Sequence, residues 1–294
     1  MSTGACICVV ARLLPSFHYP SVVVLAFGQF ALLRWLGVSL GLSTYSSIVT
    51  AALAVALLEH LYPSRAEWQP DHHDLRTDFS FLVAVQLALP PLVGVMFATL
   101  LVSPARRLDL PLIHLWPHQW PLAVQTVLMI AAVDLLRYWL HRFAHQNDVL
   151  WRLHAVHHSV DRLYWLNTAR FHPLEKALQM CLDSLPFLLL GVGPEVLSLY
   201  YLAYSTNGFF QHSNIALRYG VLNYVVSSAE AHRWHHSREP REANSNYGST
   251  TIVWDLLFGT FWLPETDRVG ALGLHDRRFP RSFWGQLRAP FEHR

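Results

Sequence analysis

The segment PLAVQTVLMIAAVDLLRYWLHRFAH, residues 121–145, joins an apolar stretch to a polar, histidine-bearing end. Pro121 suits the first turn of a helix, and nothing interrupts the helical pattern before His145. A continuous helix of this length would measure about 37 Å, whereas the hydrocarbon core of a bilayer is about 30 Å thick. The segment therefore predicts a membrane-spanning helix whose last turns, with His141 and His145, project into the aqueous interface.

Three earlier apolar runs approach the length of about 20 residues that a helix needs to cross hydrocarbon. They cover about Tyr19–Leu40, Tyr45–Leu61 and Phe79–Val102. The third contains Pro90 and Pro91, which predict a kink within that span.

A later apolar stretch, Leu178–Tyr204, is interrupted by Gly191-Val-Gly-Pro194. Each half has about 12 residues, too few to cross a bilayer alone, so a re-entrant helical hairpin fits better than two crossings. Residues 146–176 and the chain from Gln211 onward are more polar. We therefore expect an all-α, multi-pass membrane protein with about four transmembrane helices, one re-entrant helical hairpin and a cytoplasmic helical cap.

Composition supports a membrane protein and excludes some partners. Charged residues make up 14% of the chain and hydrophobic residues 52%, whereas soluble domains are about a quarter charged. The formal net charge of +2 is too small to indicate nucleic acid. Residues 1–16 lack the pattern of a cleavable signal peptide. Lys176 is the one lysine, and all other basic side chains apart from histidine are arginines. This bias is typical of GC-rich bacterial genomes and favours a bacterial inner membrane. The arginine-rich C-terminal half favours placement of that half in the cytoplasm.

Histidine is over-represented, with 18 in 294 residues, and many of these histidines are clustered. Three clusters have helical spacing: His141-x3-His145, His154-x2-His157-His158 and His232-x2-His235-His236. Residues four apart share one face of a helix, so their imidazoles can bind one ion. In the two longer clusters the first and last rings are expected to share a metal. The middle ring, turned about 100° round the helix, reaches a second metal.

Local signals predict helices at the second and third clusters. Asn147 is a good N-cap for the helix that ends at His158. Ser227-x-x-Glu230 has the spacing of a capping box, and Pro240 would end that helix after the third cluster. A bound imidazole needs its second nitrogen oriented; candidate carboxylates are Asp134, Asp161, Glu175 and Glu230.

The histidine clusters leave several functions open. All-imidazole ligation suits Zn, Cu, Fe or Ni, and the absence of H-E-x-x-H argues against a metalloprotease. Two metals in a membrane protein indicate oxygen chemistry on a hydrophobic substrate. The alternative is a membrane metal transporter or metal-binding protein, which would place its ligands near the bilayer midplane. A two-haem electron carrier would use single histidine pairs on facing helices, which adjacent histidines fit poorly.

The chain resembles the fatty acid hydroxylase / sterol desaturase superfamily of integral-membrane di-iron enzymes from about Asp134 to Pro264. The matching motifs are Tyr138-Trp-Leu-His-Arg142, Leu150-Trp-Arg-Leu-His-Ala-Val-His-His-Ser159, Phe171-His-Pro-Leu-Glu175, Phe210-Gln-His-Ser-Asn214 and Asn246-Tyr-Gly248. The resemblance implies two iron ions, O2 as co-substrate, and hydroxylation or desaturation of a C–H bond in a sterol, fatty acyl, carotenoid or ether lipid. It also implies an external electron donor, because the chain has no flavin, haem or pyridine-nucleotide motif.

The resemblance adds two metal ligands, His172 and His212, to the eight clustered histidines, and no separate catalytic residue is expected. Several relatives carry a second H-x3-H that ends at the position of His212, but Gly208 replaces its first histidine here. One metal is then expected to be a nitrogen short and to take water or Asn214. The run His157-His-Ser159, followed by Leu166-Asn-Thr-Ala-Arg170, resembles the alkylglycerol monooxygenases more than the fungal sterol enzymes. The other histidines are expected not to bind metal.

The whole chain, residues 1–294, is predicted to form a single membrane oxygenase domain, since it has no repeats, low-complexity tracts or linkers. Within it, about 19–136 would form the transmembrane helices and about 137–264 the histidine-rich catalytic region. Residues 265–294 would form a C-terminal tail.

Overall fold

Helices build the fold. The structure, a computed structural model, describes residues 3–265 and 268–292, and within these ranges the only β structure is a set of isolated bridges. The main helices are α1 (Thr3–Trp35), α2 (Leu40–Leu61), α3 (His72–Arg107), α4 (Leu122–Ala144), α5 (Asp148–His158), α6 (Pro173–Leu189), α7 (Pro194–His212) and α8 (Ala229–His235). Shorter helical segments are Ala66–Trp68, Pro111–His114, Trp165–Ala169, Gly220–Tyr224, Pro240–Ala243, Val253–Phe258, Phe283–Arg288 and Ala289–Phe291. The predicted all-α class is confirmed.

Four of these helices are long and apolar enough to cross a membrane: Leu14–Trp35 of α1, and the whole of α2, α3 and α4. Their outer surfaces are apolar, since Val24, Leu53, Leu92 and Val127 leave 66–71% of their surface exposed. Such side chains are favourable there when hydrocarbon, rather than water, surrounds them. The prediction of about four transmembrane helices is confirmed, and the chain is an integral membrane protein.

Helix α3 is irregular near its two prolines, while the predicted kink itself stays a prediction. Its hydrogen bonding changes to the π pattern at Leu82–Ala88 and again at Ala98–Val102. The first π segment directly precedes Pro90 and Pro91, whose rings crowd the preceding turn and whose nitrogens cannot donate. A widened turn relieves this crowding, and π turns of this kind are common at bends and functional sites.

Helix α7 is the centre of the core. Its residues Leu202 and Phe210 pack against Val22 of α1 and Val55 of α2. Another cluster joins its residue Tyr200 to α4 and α6. Because α7 is held from both sides by membrane helices, the histidine at its C-terminal end has a fixed position.

The apolar stretch that was expected to form two short halves folds as a helical hairpin of longer helices. Helices α6 and α7 contain 17 and 19 residues. They exceed the expected halves because α6 already begins at Pro173 and α7 continues to His212. Gly191 makes the reversal possible, since its φ of 85° is unfavourable for residues with a Cβ atom.

Candidate metal centre

The ends of α4, α5, α7 and α8 bring the histidines together. Asn147 begins α5, because its side chain accepts hydrogen bonds from the backbone N–H groups of Val149 and Leu150. Helix α8 begins one residue later than predicted. Its cap is Ser228, whereas the hydroxyl of Ser227 donates to the carbonyl of Gly248 at 2.7 Å.

Nine of the ten predicted ligands gather in two groups, and the ligand atoms within each group lie within 4.8 Å of one another. The first group consists of His141, His145, His154, His158 and His235. The second group consists of His157, His212, His232 and His236. This is the arrangement that helix geometry predicts, with the first and last rings of each longer cluster together and the middle ring in the other group. The two groups adjoin, since the ring centroids of His158 and His236 are 4.6 Å apart.

The ring nitrogens fit metal ions. The Nε2 atoms of His154 and His158 are 3.1 Å apart, and the same distance separates His232 Nε2 from its counterparts in His212 and His236. Two nitrogens bound to one ion at about 2.1 Å and at right angles would lie about 3.0 Å apart.

Unpaired ring nitrogens are further support for ions at these positions. The buried Nε2 atoms of His141, His145 and His235 have no hydrogen-bond partner. A buried polar atom without a partner is unfavourable, and metal coordination would satisfy all three.

Five rings have their Nδ1 atoms held by an acceptor, which fixes the tautomer and directs Nε2 into the site. The pairs are His141 with Tyr247 O at 2.8 Å, His145 with Asn244 Oδ1 at 3.1 Å, His154 with Glu175 Oε1 at 2.7 Å, His157 with Arg170 O at 3.2 Å and His235 with Ser245 O at 2.7 Å. Four of these five acceptors were not predicted from the sequence, because three are backbone carbonyls and one is an asparagine distant in sequence.

Only Glu175 among the four predicted carboxylates contacts a ring. Asp134 instead accepts from the N–H of Thr250 at 3.0 Å, and Glu230 accepts from the N–H of Tyr219 at 2.8 Å. Asp161 lies at the surface beside Arg277. The prediction that these three carboxylates orient imidazoles was wrong, because each is used to hold a loop or a surface ion pair.

Burial keeps the imidazoles neutral. Desolvation, followed by the charges of neighbouring rings, lowers the pKa of His154, His158 and His236 well below the usual value. A neutral imidazole is the form that binds a metal, so these rings need not lose a proton to do so at pH 7.

A tight loop after α8, which contains Asn246, Tyr247 and Gly248, lies against the first group and positions one of its rings. Asp255 is fully buried and accepts from the N–H groups of Tyr247 and Gly248, both at 2.8 Å. Asn246 has a φ of 55°, and its side chain bonds the carbonyls of Ala231 and Trp262. These contacts account for the Asn246-Tyr-Gly248 motif, because they place the carbonyl of Tyr247 on the ring of His141.

Asp78 has a similar positioning role for the second group. This fully buried carboxylate of α3 pairs with Arg170 Nε at 2.5 Å, accepts from Asn167 Nδ2 at 2.8 Å and bonds the hydroxyl of Tyr164. Since the carbonyl of Arg170 orients His157, Asp78 connects a membrane helix to the second group. Sequence reasoning missed it, although a carboxylate directly before an apolar run was a usable signal.

The structure separates His172 from the other nine histidines. Its Nδ1 accepts from the N–H of Leu174 at 3.2 Å as the cap of α6, and its Nε2 is 3.3 Å from Leu287 O. Both ring nitrogens are thus engaged outside the two groups. None of the remaining histidines among the described residues joins either group, and His293 lies outside the described residues.

His212 lies in the second group, but Asn214 does not complete that group. The Asn214 amide forms two hydrogen bonds with the backbone of Arg65, at 2.8 and 2.9 Å. The second group therefore has one imidazole fewer than the first, as the glycine at position 208 predicts.

Replacing His172 with Gln is expected to leave the metal content unchanged, because this ring caps a helix rather than facing the site. Metal per chain, measured by elemental analysis of purified protein, checks this. Loss of one ion per chain in H172Q would instead make His172 a ligand.

Replacing Glu175 with Ala is expected to weaken metal binding at the first group by about 10- to 100-fold, because His154 loses the partner that orients it. Competition with a chelator measures this. One of the two ions should leave at lower chelator concentration than in the native protein, and the conservative E175Q should restore most of the affinity. Equal weakening of both ions would contradict the assignment of Glu175 to one group.

Comparisons with known proteins agree with this geometry. The family profile described as Fatty acid hydroxylase matches residues 126–260, which include all nine grouped histidines. Ornithine lipid hydroxylase OlsE of Rhizobium tropici is 34% identical over 241 residues, 81% of this chain and 72% of that protein. Alkylglycerol monooxygenase of Danio rerio is 33% identical over 156 residues, 53% of this chain and 34% of that protein. A probable Delta(7)-sterol 5(6)-desaturase of Neurospora crassa is 30% identical over 157 residues, 51% of this chain and 42% of that protein.

The extent of these matches differs. The aligned part of the chain spans most of the ornithine lipid hydroxylase but only about a third of the alkylglycerol monooxygenase. No solved structure matches the chain. The matched profile, the long alignment with a lipid hydroxylase and the histidine pattern agree, and the chain therefore belongs to the fatty acid hydroxylase superfamily of membrane-bound lipid oxidoreductases.

Proposed function

We propose that this chain is an O2-dependent di-iron hydroxylase that inserts one oxygen atom into a C–H bond of a membrane lipid. Its membership of a family of lipid-oxidising enzymes already makes it an oxidoreductase. The observation that carries the iron proposal is the pair of adjoining groups of five and four imidazoles, of which all but His141 and His145 are buried.

The residues present fit two ions of a metal that accepts imidazole. The first and second groups would each hold one ion, and the nitrogen-only ligand set suits iron. When bound, the two iron ions would supply the O2 activation that an unactivated C–H bond requires. An external reductase or small redox protein would supply two electrons, and two protons would complete the conversion of the second oxygen atom to water.

The protein's own side chains hold the ligands and exclude water. The hydrogen bonds to Nδ1 atoms fix five of the nine rings, four of them in the first group, before an ion arrives, so little reorganisation of these rings is needed. Burial of the rings keeps bulk water from the reacting centre, which protects reactive species from side reactions.

Hydroxylation is favoured over desaturation by the comparisons with the lipid hydroxylases. The relative that aligns with 81% of the chain is named for ornithine lipid hydroxylation, and another for alkylglycerol oxidation. We therefore propose a polar glycerolipid or amino-acid lipid as substrate, ahead of sterols, fatty acids and carotenoids.

We also propose a bacterial inner membrane, with the histidine-bearing cap in the cytoplasm and the α6–α7 hairpin re-entering from that side. The single-domain division at about 136 and 264 remains a prediction.

A metal transporter is the function from a different class. It would need ligands near the middle of the membrane, whereas the first group lies at the C-terminal end of α4 and beyond it. None of the relatives named above is a transporter.

Lipid mass spectrometry tests the proposed reaction. Membranes of the host with the gene should contain a lipid that is one oxygen atom heavier than its precursor, and membranes of the deletion strain should lack it. A lipid that has instead lost two hydrogens would make the enzyme a desaturase. Identical lipid profiles under aerobic growth would contradict the proposal.

A further inference from the structure

A cavity touches both histidine groups. It has a volume of about 50 Å³ and lies against His141 and His154 of the first group and His212 and His232 of the second. Most of its remaining wall consists of hydrogen-bonding side chains, including Arg137, Glu175, Gln179, Tyr204 and Gln211. The wall of this space, next to both groups, therefore combines polar side chains with apolar surface from Leu140 and Phe171.

Two acceptor atoms of this wall have no donor. Glu175 and Gln179 are 6% and 4% exposed, and both Glu175 Oε2 and Gln179 Oε1 are buried without a hydrogen-bond partner. Their other polar atoms are engaged, since Glu175 Oε1 accepts from His154 Nδ1 and from Gln179 Nε2. Buried acceptors without donors are unfavourable, so this part of the wall is suited to a ligand that donates.

The two cations nearby form their hydrogen bonds with other groups. Arg137 lies 3.4 Å from Asp183 and 3.1 Å from the hydroxyl of Tyr204. Lys176 donates to the same hydroxyl at 3.2 Å. Neither Arg137 nor Lys176 therefore donates a hydrogen bond to Glu175 Oε2 or Gln179 Oε1.

Gly208 keeps the cavity open beside the second group. It lies one helical turn before His212, and a Cβ atom at this position would be 3.2 Å from Thr168 Oγ1. A histidine or any larger side chain here would occupy the wall of the cavity, so the glycine that removes one ligand also provides space.

A lipid acyl chain fits this cavity poorly. Methylene groups would remove water from Glu175, Gln179 and Arg137 without replacing its hydrogen bonds, which is costly in a buried site. An ammonium group, which has three N–H donors, or two hydroxyls of one head group would instead satisfy both free acceptors.

We infer that this cavity holds the polar head of the lipid substrate, through an ammonium group or a pair of hydroxyls that donate to Glu175 Oε2 and Gln179 Oε1. The oxidised carbon then lies in the head group or within a few bonds of it, rather than in the middle of an acyl chain. This inference rests on the proposed lipid hydroxylase function and narrows its substrate class.

Fragmentation of the oxidised lipid tests the position of the new oxygen. The head-group or glycerol-proximal fragment should carry the extra oxygen, whereas oxygen on the mid-chain acyl fragment overturns the inference. If no oxidised lipid is found, the proposed function fails, and the binding experiment below decides this inference separately.

Lipid binding is measured by thermal unfolding of the metal-loaded protein in detergent. Phosphatidylethanolamine and phosphatidylglycerol with the same acyl chains separate ammonium from hydroxyl donors, and phosphatidylcholine has neither. At least one of the first two should raise the unfolding temperature more than phosphatidylcholine does. Equal shifts for all three lipids would overturn the inference.

The variant Gln179→Met removes one acceptor while keeping the side-chain length. It should raise KM for the lipid about tenfold, the effect of one lost hydrogen bond, and weaken the preference between head groups while the metal content stays at the native level. Gln69→Met, the same change at an exposed position, is the control. It should change neither KM for the lipid nor the preference between head groups. An unchanged KM and head-group preference in Q179M would contradict the role of this side chain.

Discussion

Purified His157→Ala and His235→Ala proteins should each be inactive and deficient in metal. His157 lies in the second group and His235 in the first, and both are at most 3% exposed. Removing either ring deletes a ligand and leaves a cavity that alanine cannot fill. We expect lipid oxidation to fall below detection and bound iron to fall from two ions per chain to one or none, as measured by product mass spectrometry and elemental analysis.

The control for these variants is His275→Ala, which changes a histidine that is exposed and lies outside both groups. It should retain both ions and full activity. Normal turnover in either H157A or H235A would contradict the assignment of the corresponding histidine group as a metal site.

Replacing Gly248 with Ala should destabilise the protein and disturb the first group. A Cβ atom at position 248 would lie 2.1 Å from the backbone oxygen of Thr251, a contact that only movement of the backbone can relieve. The loop that would move also presents the Tyr247 carbonyl to His141. We expect a loss of about 2–3 kcal/mol in stability, the upper range for overpacking, together with weaker metal binding.

Gly94→Ala is the matched control for this variant. It changes a glycine within α3 at which an added methyl group would meet no atom within 4 Å, so stability should be kept or slightly improved. Thermal unfolding in detergent and metal content, measured for both proteins side by side, check the prediction. A G248A protein as stable and as metal-rich as G94A would show that the loop is not tightly constrained.

The spacing of the histidines predicts much of the site because helix geometry is local. Three and four residues make one turn, so the division of His154, His157 and His158 between two groups follows from sequence positions alone. The cap at Asn147 is equally local, since its acceptor atom and the N–H groups that it binds lie within three residues. Hydrophobic length predicts the four spans for the same reason.

The parts that could not be predicted depend on contacts between distant residues. Asp78 meets Arg170 across 92 positions, and no sequence pattern connects them. Backbone carbonyls, such as that of Tyr247, have no signature because every residue has one. His172 shows a further limit, because a histidine before a proline can serve as a ligand or as the cap of the helix that the proline begins.

The central claim is that nine imidazoles hold two iron ions, and Mössbauer spectroscopy of protein produced with iron-57, combined with elemental analysis, tests it most directly. The account predicts two iron ions per chain in nitrogen-rich, non-haem environments. A single iron ion, or none after anaerobic reconstitution with ferrous iron, would contradict it.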